Sequence, residues 1–186
     1  VKGFTIIPIQ SGIEAGIYIQ YDSSNCTIMD NVIANFSETI SYVRNWYGIV
    51  LYGSNCKILR NTFVNDGLII AYSYGNVVND NLVNGKPLVY LEGMSDYTVS
   101  DAGQVILNNC ENIRVENLSL SNTTIGLELW ETKNSRIANN NMTNNTYGIW
   151  AEESSDNNII IGNNITANRL EGIDLGYSSY NTMAGN

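Results

Sequence analysis

Gly126-Leu-Glu-Leu-Trp130, Gly148-Ile-Trp-Ala-Glu152 and Gly172-Ile-Asp-Leu-Gly176 open three blocks with nearly the same pattern. Each opening is followed by a second apolar core: Ile137-Ala-Asn-Asn-Asn-Met142, Ile160-Ile-Gly-Asn-Asn-Ile165 and Met183-Ala-Gly-Asn186. The opening glycines lie 22 and 24 residues apart. Self-similarity at a fixed period of this size marks a repeat architecture. Less regular copies precede these blocks. Gly16-Ile-Tyr-Ile19 leads to Ile28-Met-Asp-Asn-Val-Ile33, Gly48-Ile-Val-Leu51 to Ile58-Leu-Arg-Asn-Thr-Phe63, and Gly67-Leu-Ile-Ile70 to Val78-Asn-Asp-Asn-Leu-Val83. Val89-Tyr-Leu-Glu92 and Val105-Ile-Leu107 read as two more strand starts, and Phe4-Thr-Ile6 as the tail of an earlier one.

Apolar residues alternate over three to five positions before a Gly/Asn/Ser turn, which is the period of a strand. No stretch carries an apolar period of a helix, so little or no helix is expected. Short strands recurring without hairpin spacing imply a coil of parallel strands, each turn ~4.8 Å from the last. The expectation is a single-stranded parallel β-helix of about eight rungs, each 19–24 residues long. A β-sandwich would require hairpins and more variable strand spacing.

Asn31, Asn61, Asn81, Asn140, Asn163 and Asn186 each stand three residues after a core aliphatic. In a coil they stack into a corner ladder, and asparagine tolerates the left-handed backbone of a corner. Glu116 is expected to interrupt the ladder in one rung. Cys26 and Cys56 each precede a core isoleucine by two residues, and Cys110 precedes Ile113 by three. They read as small buried hydrophobes in or near one column. A Cys26–Cys56 disulfide between adjacent rungs is the alternative.

The 186 residues suffice for one domain, 1–186, and an elongated coil needs no spherical core. The net charge is −9 with only 15% charged residues. A basic face for nucleic acid is therefore absent. No apolar run reaches the ~18 residues of a transmembrane helix. The chain opens inside a strand at Val1 and closes in a ladder slot at Asn186, which reads as a piece of a longer protein. The alternative is a coil whose ends are covered by neighbouring domains or by end-to-end self-association. Asn-x-Ser/Thr triplets begin at Asn25, Asn35, Asn117, Asn122, Asn141, Asn144 and Asn164 and lean towards an extracellular chain.

Gly148-Ile-Trp150, Ser154-Ser-Asp-Asn-Asn-Ile159 and Ile160-Ile-Gly-Asn-Asn-Ile165 resemble the repeats of NosD-like proteins and related carbohydrate-binding and sugar-hydrolase domains. So do Gly85-Lys-Pro-Leu-Val-Tyr-Leu-Glu92 and Ala102-Gly-Gln-Val-Ile-Leu107. The resemblance covers most of the chain and is most specific from Gly85 onward. It implies a right-handed coil in an exported or cell-surface protein, of a kind repeated in archaeal surface proteins. A shared fold carries many functions. NosD is associated with copper-site maturation, and this chain departs from copper's needs. It has no histidine, its four methionines (Met29, Met94, Met142, Met183) are scattered, and its cysteines read as buried. No cofactor or metal site is expected.

In a strand written Gly-Ile-x-Leu-y, positions x and y point away from the coil. Column x runs Tyr18, Val50, Ile69, Tyr90, Ile106, Glu128, Trp150 and Asp174. Column y runs Gln20, Tyr52, Ala71, Glu92, Asn108, Trp130, Glu152 and Gly176. Aromatic faces stack on sugar rings, and carboxylates accept hydrogen bonds from hydroxyls. The strip therefore reads as a polysaccharide site built from Tyr18, Tyr52, Tyr90, Glu92, Trp130 and Trp150. Trp46, in the insertion between Asn35 and Gly48, joins them. The same aromatics also suit exposed strands or a surface covered by another domain. Glycoside hydrolysis needs two carboxyls ~5 Å or ~6.5–9.5 Å apart. The candidates are Glu128, Glu152 and Asp174. Strand spacing puts Glu128 roughly 10 Å from Asp174, and Glu152 roughly 8 Å from each. Glu152, beside Trp130, would be the acid, and Asp174 or Glu128 the base. A polysaccharide lyase fits less well, because Lys133 and Arg169 fall in turns and no dense Asp cluster offers calcium a site. A module that binds without catalysis is favoured, with a structural surface repeat as the alternative.

Overall fold

The computed structural model describes residues 1–8, 15–36 and 47–186. The alternating aliphatics form short strands throughout, and no helix occurs among the described residues. The strands stack in parallel sheets, as a repeat of this period requires.

The stacking falls into two parts. In the N-terminal stack, Ala15–Ile19, Tyr47–Leu51 and Leu68–Ile70 form one sheet, and Thr27–Met29, Lys57–Leu59 and Val77–Asn79 a second. Thr5–Ile6, Val32–Ala34, Thr62–Val64 and Leu82–Val83 make the third column. In the C-terminal stack, the first column is Lys86–Glu92, Gln104–Asn108, Ile125–Trp130, Tyr147–Glu152 and Ile173–Leu175. The second is Thr98–Val99, Arg114–Glu116, Arg136–Ala138, Ile159–Ile161 and Thr182–Ala184, and Asn141–Thr143 pairs with Asn164–Thr166 in a third. In-register partners are as close in sequence as Val89 and Val105 and as far apart as Ile17 and Ile49, a wider spread than the expected 19–24 residues.

A hairpin divides the stacks, where the repeat was expected to run on without one. Val83 faces Lys86 and Leu82 faces Pro87 in an antiparallel pair. Asn84 (φ 51°) and Gly85 (φ 81°) form the turn between them. Two left-handed residues in a two-residue loop match the right-handed twist of the flanking strands, and Asn-Gly is the dipeptide that supplies them. The chain reverses here, and the third column of one stack continues into the first column of the next as a single nine-stranded sheet.

The asparagines stack as expected, but in two separate ladders. Asn31 Nδ2 donates to Asn61 Oδ1 (2.9 Å) and Asn61 Nδ2 to Asn81 Oδ1 (3.0 Å). In the other stack Asn140 Nδ2 donates to Asn163 Oδ1 (3.0 Å) and Asn163 Nδ2 to Asn186 Oδ1 (2.8 Å). The left-handed residue of each corner is the one before the ladder: Asp30, Arg60, Asp80, Asn139, Gly162 and Gly185. The interrupting residue is Leu118, whose N–H donates to Asn140 Oδ1 (2.9 Å), while Glu116 sits opposite Ala138 in the neighbouring strand. The three cysteines are free thiols. Cys26 and Cys56 share a column in the N-terminal stack. Cys110 belongs to the other stack, where Thr132, Ser155 and Ser178 continue its column.

Each stack has its own aliphatic core, Ile28, Ile49, Ile58 and Phe63 among the first and Val105, Leu127, Ile137 and Ile149 among the second. Ile106, expected to point outward, instead packs into the core of the N-terminal stack.

Candidate functional site

The junction between the stacks decides what each candidate residue can do. Strand Leu68–Ile70 pairs with Tyr47–Leu51 on one edge only, so its other edge exposes backbone groups that require partners. The outward side chains of the C-terminal stack supply them. Gln104 accepts from Leu68 N through Oε1 (3.0 Å) and donates from Nε2 to Leu68 O (2.7 Å), mimicking a strand. Glu128 accepts from Ile70 N (3.2 Å). Thr123 Oγ1 donates to Asp66 O (3.0 Å), and Asn108 Nδ2 to Ser73 O (2.8 Å). Glu92 takes the next two donors, Gly75 N (2.6 Å) and Asn76 N (3.2 Å).

This junction corrects the expected outward strip. Strand Ile125–Trp130 is buried on both faces. Glu128 is 0% exposed and Trp130 only 1%. Val50, Ile69, Ala71, Ile106 and Asn108, from the same two columns, are buried as well. Burial pushes the Glu128 carboxyl well above the usual carboxylate range, opposed by the Ile70 N–H. Enclosed and already hydrogen-bonded, Glu128 does not reach a substrate on the surface. Trp130 donates from Nε1 to the Tyr74 hydroxyl (3.3 Å), which in turn donates to Glu131 (2.8 Å). Tyr90 is half-buried, its hydroxyl donating to Glu92 (2.6 Å), and burial with that contact pushes its pKa up. Tyr90 and Glu92 are thus committed to holding the stacks together. Trp46 lies outside the described residues.

At the margin of the junction an arc of rings runs from one surface to the other over the buried Trp130. Tyr18 meets Tyr52 edge-on at 5.6 Å, and Tyr52 stacks on Tyr21 at 4.5 Å. Tyr21 approaches Tyr72 at 5.9 Å, and Tyr72 packs edge-on against Trp130 at 4.5 Å. Trp130 leads to Trp150 (6.1 Å), and Trp150 to Tyr147 (6.2 Å). The arc crosses from one stack to the other. Tyr21, Tyr72 and Tyr18 are its open members, at 64%, 48% and 44% exposure. Burial beside Tyr18 and Tyr21 pushes Tyr52 up to about 12.

Tyr21, Tyr72 and Tyr147 were absent from the expected site. Tyr21 and Tyr72 stand just beyond the strand ends, where alternation no longer assigns a side. Gly53 holds the matching position after the strand between theirs, and Ser23 closes onto it too tightly for any side chain.

Carboxylates border the arc. Glu153 accepts from the Tyr72 hydroxyl at 3.0 Å. Glu152 follows Trp150 in the same strand, and Gly176 opposite leaves room for its carboxylate. Burial and then the neighbouring Asp174 push the Glu152 carboxyl up, while a hydrogen bond from Trp150 lowers it. Asp174 is in register with Trp150, which is in register with Glu128. The three candidate carboxylates therefore occupy the expected register, but only Glu152 and Asp174 lie at the surface.

Residues 88–186 match the family model described as periplasmic copper-binding protein (NosD). No curated protein matches the chain. The donor set does not fit a copper centre. The chain contains no histidine. No group of three or more His, Cys, Asp or Glu that would hold a metal occurs among the described residues. Burial pushes the Cys56 and Cys110 thiols up, away from the thiolate that copper binds. No helix among the described residues is long and apolar enough to cross a membrane.

Proposed function

The chain belongs to the NosD family, and from that membership and the aromatic arc we propose a module that binds polysaccharide outside the cytoplasm. In this reading both stacks wind as right-handed β-helices, and their junction holds the glycan. The observation that carries it is the arc Tyr18–Tyr52–Tyr21–Tyr72–Trp130–Trp150–Tyr147, continuous at ring spacings of 4.5 to 6.2 Å. Open ring faces stack on the C–H faces of sugars, and Glu152, Glu153 and Asp174 stand ready to accept hydrogen bonds from hydroxyls. Trp130 acts as the buried floor that fixes Tyr72. With a net charge of −9, the chain favours a neutral glycan over an acidic one. Native gels cast with soluble neutral polysaccharides test this. The chain is retarded, Tyr21→Ala with Tyr72→Ala removes the retardation, and Tyr177→Ala with Tyr180→Ala, on exposed rings outside the arc, preserves it. Retardation that survives the Tyr21/Tyr72 change refutes the site.

A second reading, hydrolysis, draws support from the raised Glu152 carboxyl beside Asp174. Glu152 would protonate the leaving oxygen and Asp174 would serve as base or nucleophile. Release of reducing ends that Glu152→Gln abolishes without loss of retardation would establish it. Retention with no new ends leaves the binding module.

A further inference from the structure

Away from the arc, the N-terminal stack holds two thiols side by side. Thr27 and Lys57 are register partners, so Cys26 and Cys56, each one residue earlier, face each other across one rung. The Lys57 N–H donates to Cys26 O at 2.8 Å, which locks that register. The Cys26 N–H donates to Cys56 Sγ at 3.3 Å, placing the second sulfur against the first residue's backbone. One rung is ~4.8 Å, inside the Cα separation of about 4.4–6.8 Å that a disulfide spans. Side chains at in-register positions of parallel strands leave the sheet on the same side. Cys26 is partly exposed and Cys56 buried, so one thiol is open to a reagent and the other waits behind it.

We propose that Cys26 and Cys56 form an oxidation site that closes to a disulfide joining two turns of the N-terminal stack. The oxidant is a small-molecule or protein disulfide. The Cys26 thiolate attacks one sulfur of that disulfide and expels the other as a thiol, leaving a mixed disulfide on Cys26. Cys56 loses its proton, attacks the Cys26 sulfur and expels the second half of the oxidant. Two electrons and two protons pass to the oxidant, and one S–S bond forms in the protein. Burial slows the second step by holding Cys56 as the thiol, but the adjacent mixed disulfide makes that step intramolecular. Cys110 takes no part: it lies in the other stack, buried, with its thiol donating to Leu91 O and Asn108 O (both 3.4 Å).

The test treats the whole folded chain with oxidised glutathione, unfolds it, alkylates the remaining thiols and maps the peptides without reduction. Before treatment three thiols alkylate; afterwards only Cys110 does, and the peptides carrying Cys26 and Cys56 migrate as one linked species. In Cys26→Ser, where the partly exposed member alone is changed, no linked species forms and Cys56 alkylates. Three results overturn the proposal: a stable glutathione adduct on Cys26 with Cys56 still alkylated, no reaction at either residue, or a link that includes Cys110.

Discussion

Replacing Glu128 with Gln tests the junction through its pH dependence. The glutamine keeps the shape and the acceptor for Ile70 N but cannot ionise. Burial raises the folded pKa of Glu128 above the unfolded value near 4.5. Between those two values the folded chain holds a proton that the unfolded chain has released. Stability is therefore full below about pH 4.5 and falls as pH rises, until the folded pKa is passed. One proton sets the slope at no more than about 1.4 kcal/mol per pH unit. For a chain of this size that is about 3–5 °C of Tm per pH unit. Glu152, also raised, contributes in the same direction, and Asp30, lowered by Arg60 beside it, in the opposite one. Both are present in each protein and cancel in the difference. Thermal unfolding of the two proteins at stepped pH reads that difference directly. The melting curves coincide in acid and separate above about pH 4.5, with Glu128→Gln the more stable. Curves that stay parallel at every pH would mean that the Glu128 carboxyl is not enclosed and that the junction is wrongly described.

Other substitutions probe the remaining features. Gly85→Ala puts a Cβ on a left-handed residue with open space around it, so its cost is conformational, about 1–2 kcal/mol by denaturant titration. Asn61→Ala removes the acceptor of Asn31 N and Nδ2 and the donor to Ile28 O and Asn81. Because it strands buried partners, the loss is roughly 2–4 kcal/mol in the same titration. Trp130→Ala empties a fully buried site and costs about 3–5 kcal/mol, so it reports on folding rather than on sugar contact.

The repeat was legible because each turn of the coil renews the same structural needs, even though the length of a turn varies. Strands demand alternating aliphatics, and corners demand residues that accept positive φ, here mostly asparagine, aspartate and glycine. Those needs are local, so Ile137, Asn140 and Met142 announce their positions without reference to the rest of the chain. The reversal at Asn84-Gly85 was equally local, but the repeat's rhythm masked it. The burial of Glu128 and Trp130 was not local. It arises because one stack closes its open edge on the outer face of another, a contact between residues some 58 positions apart. A trace of it was present: Val50, Ile69 and Ile106 are aliphatic in a column assigned to solvent. Three such residues call for a covering surface. Tyr18, Tyr52 and Trp150 belong to the proposed site because they stand at the margin of that contact, where burial stops.

Calorimetric titration of the chain with a soluble neutral polysaccharide, run beside Tyr21→Ala/Tyr72→Ala, reads sugar binding at the arc without a secondary signal. The native chain gives saturable heat, and the double variant, whose thermal unfolding shows it still folded, gives none. Equal heats from both proteins, or none from the native chain with any neutral polysaccharide, would contradict sugar binding at the arc.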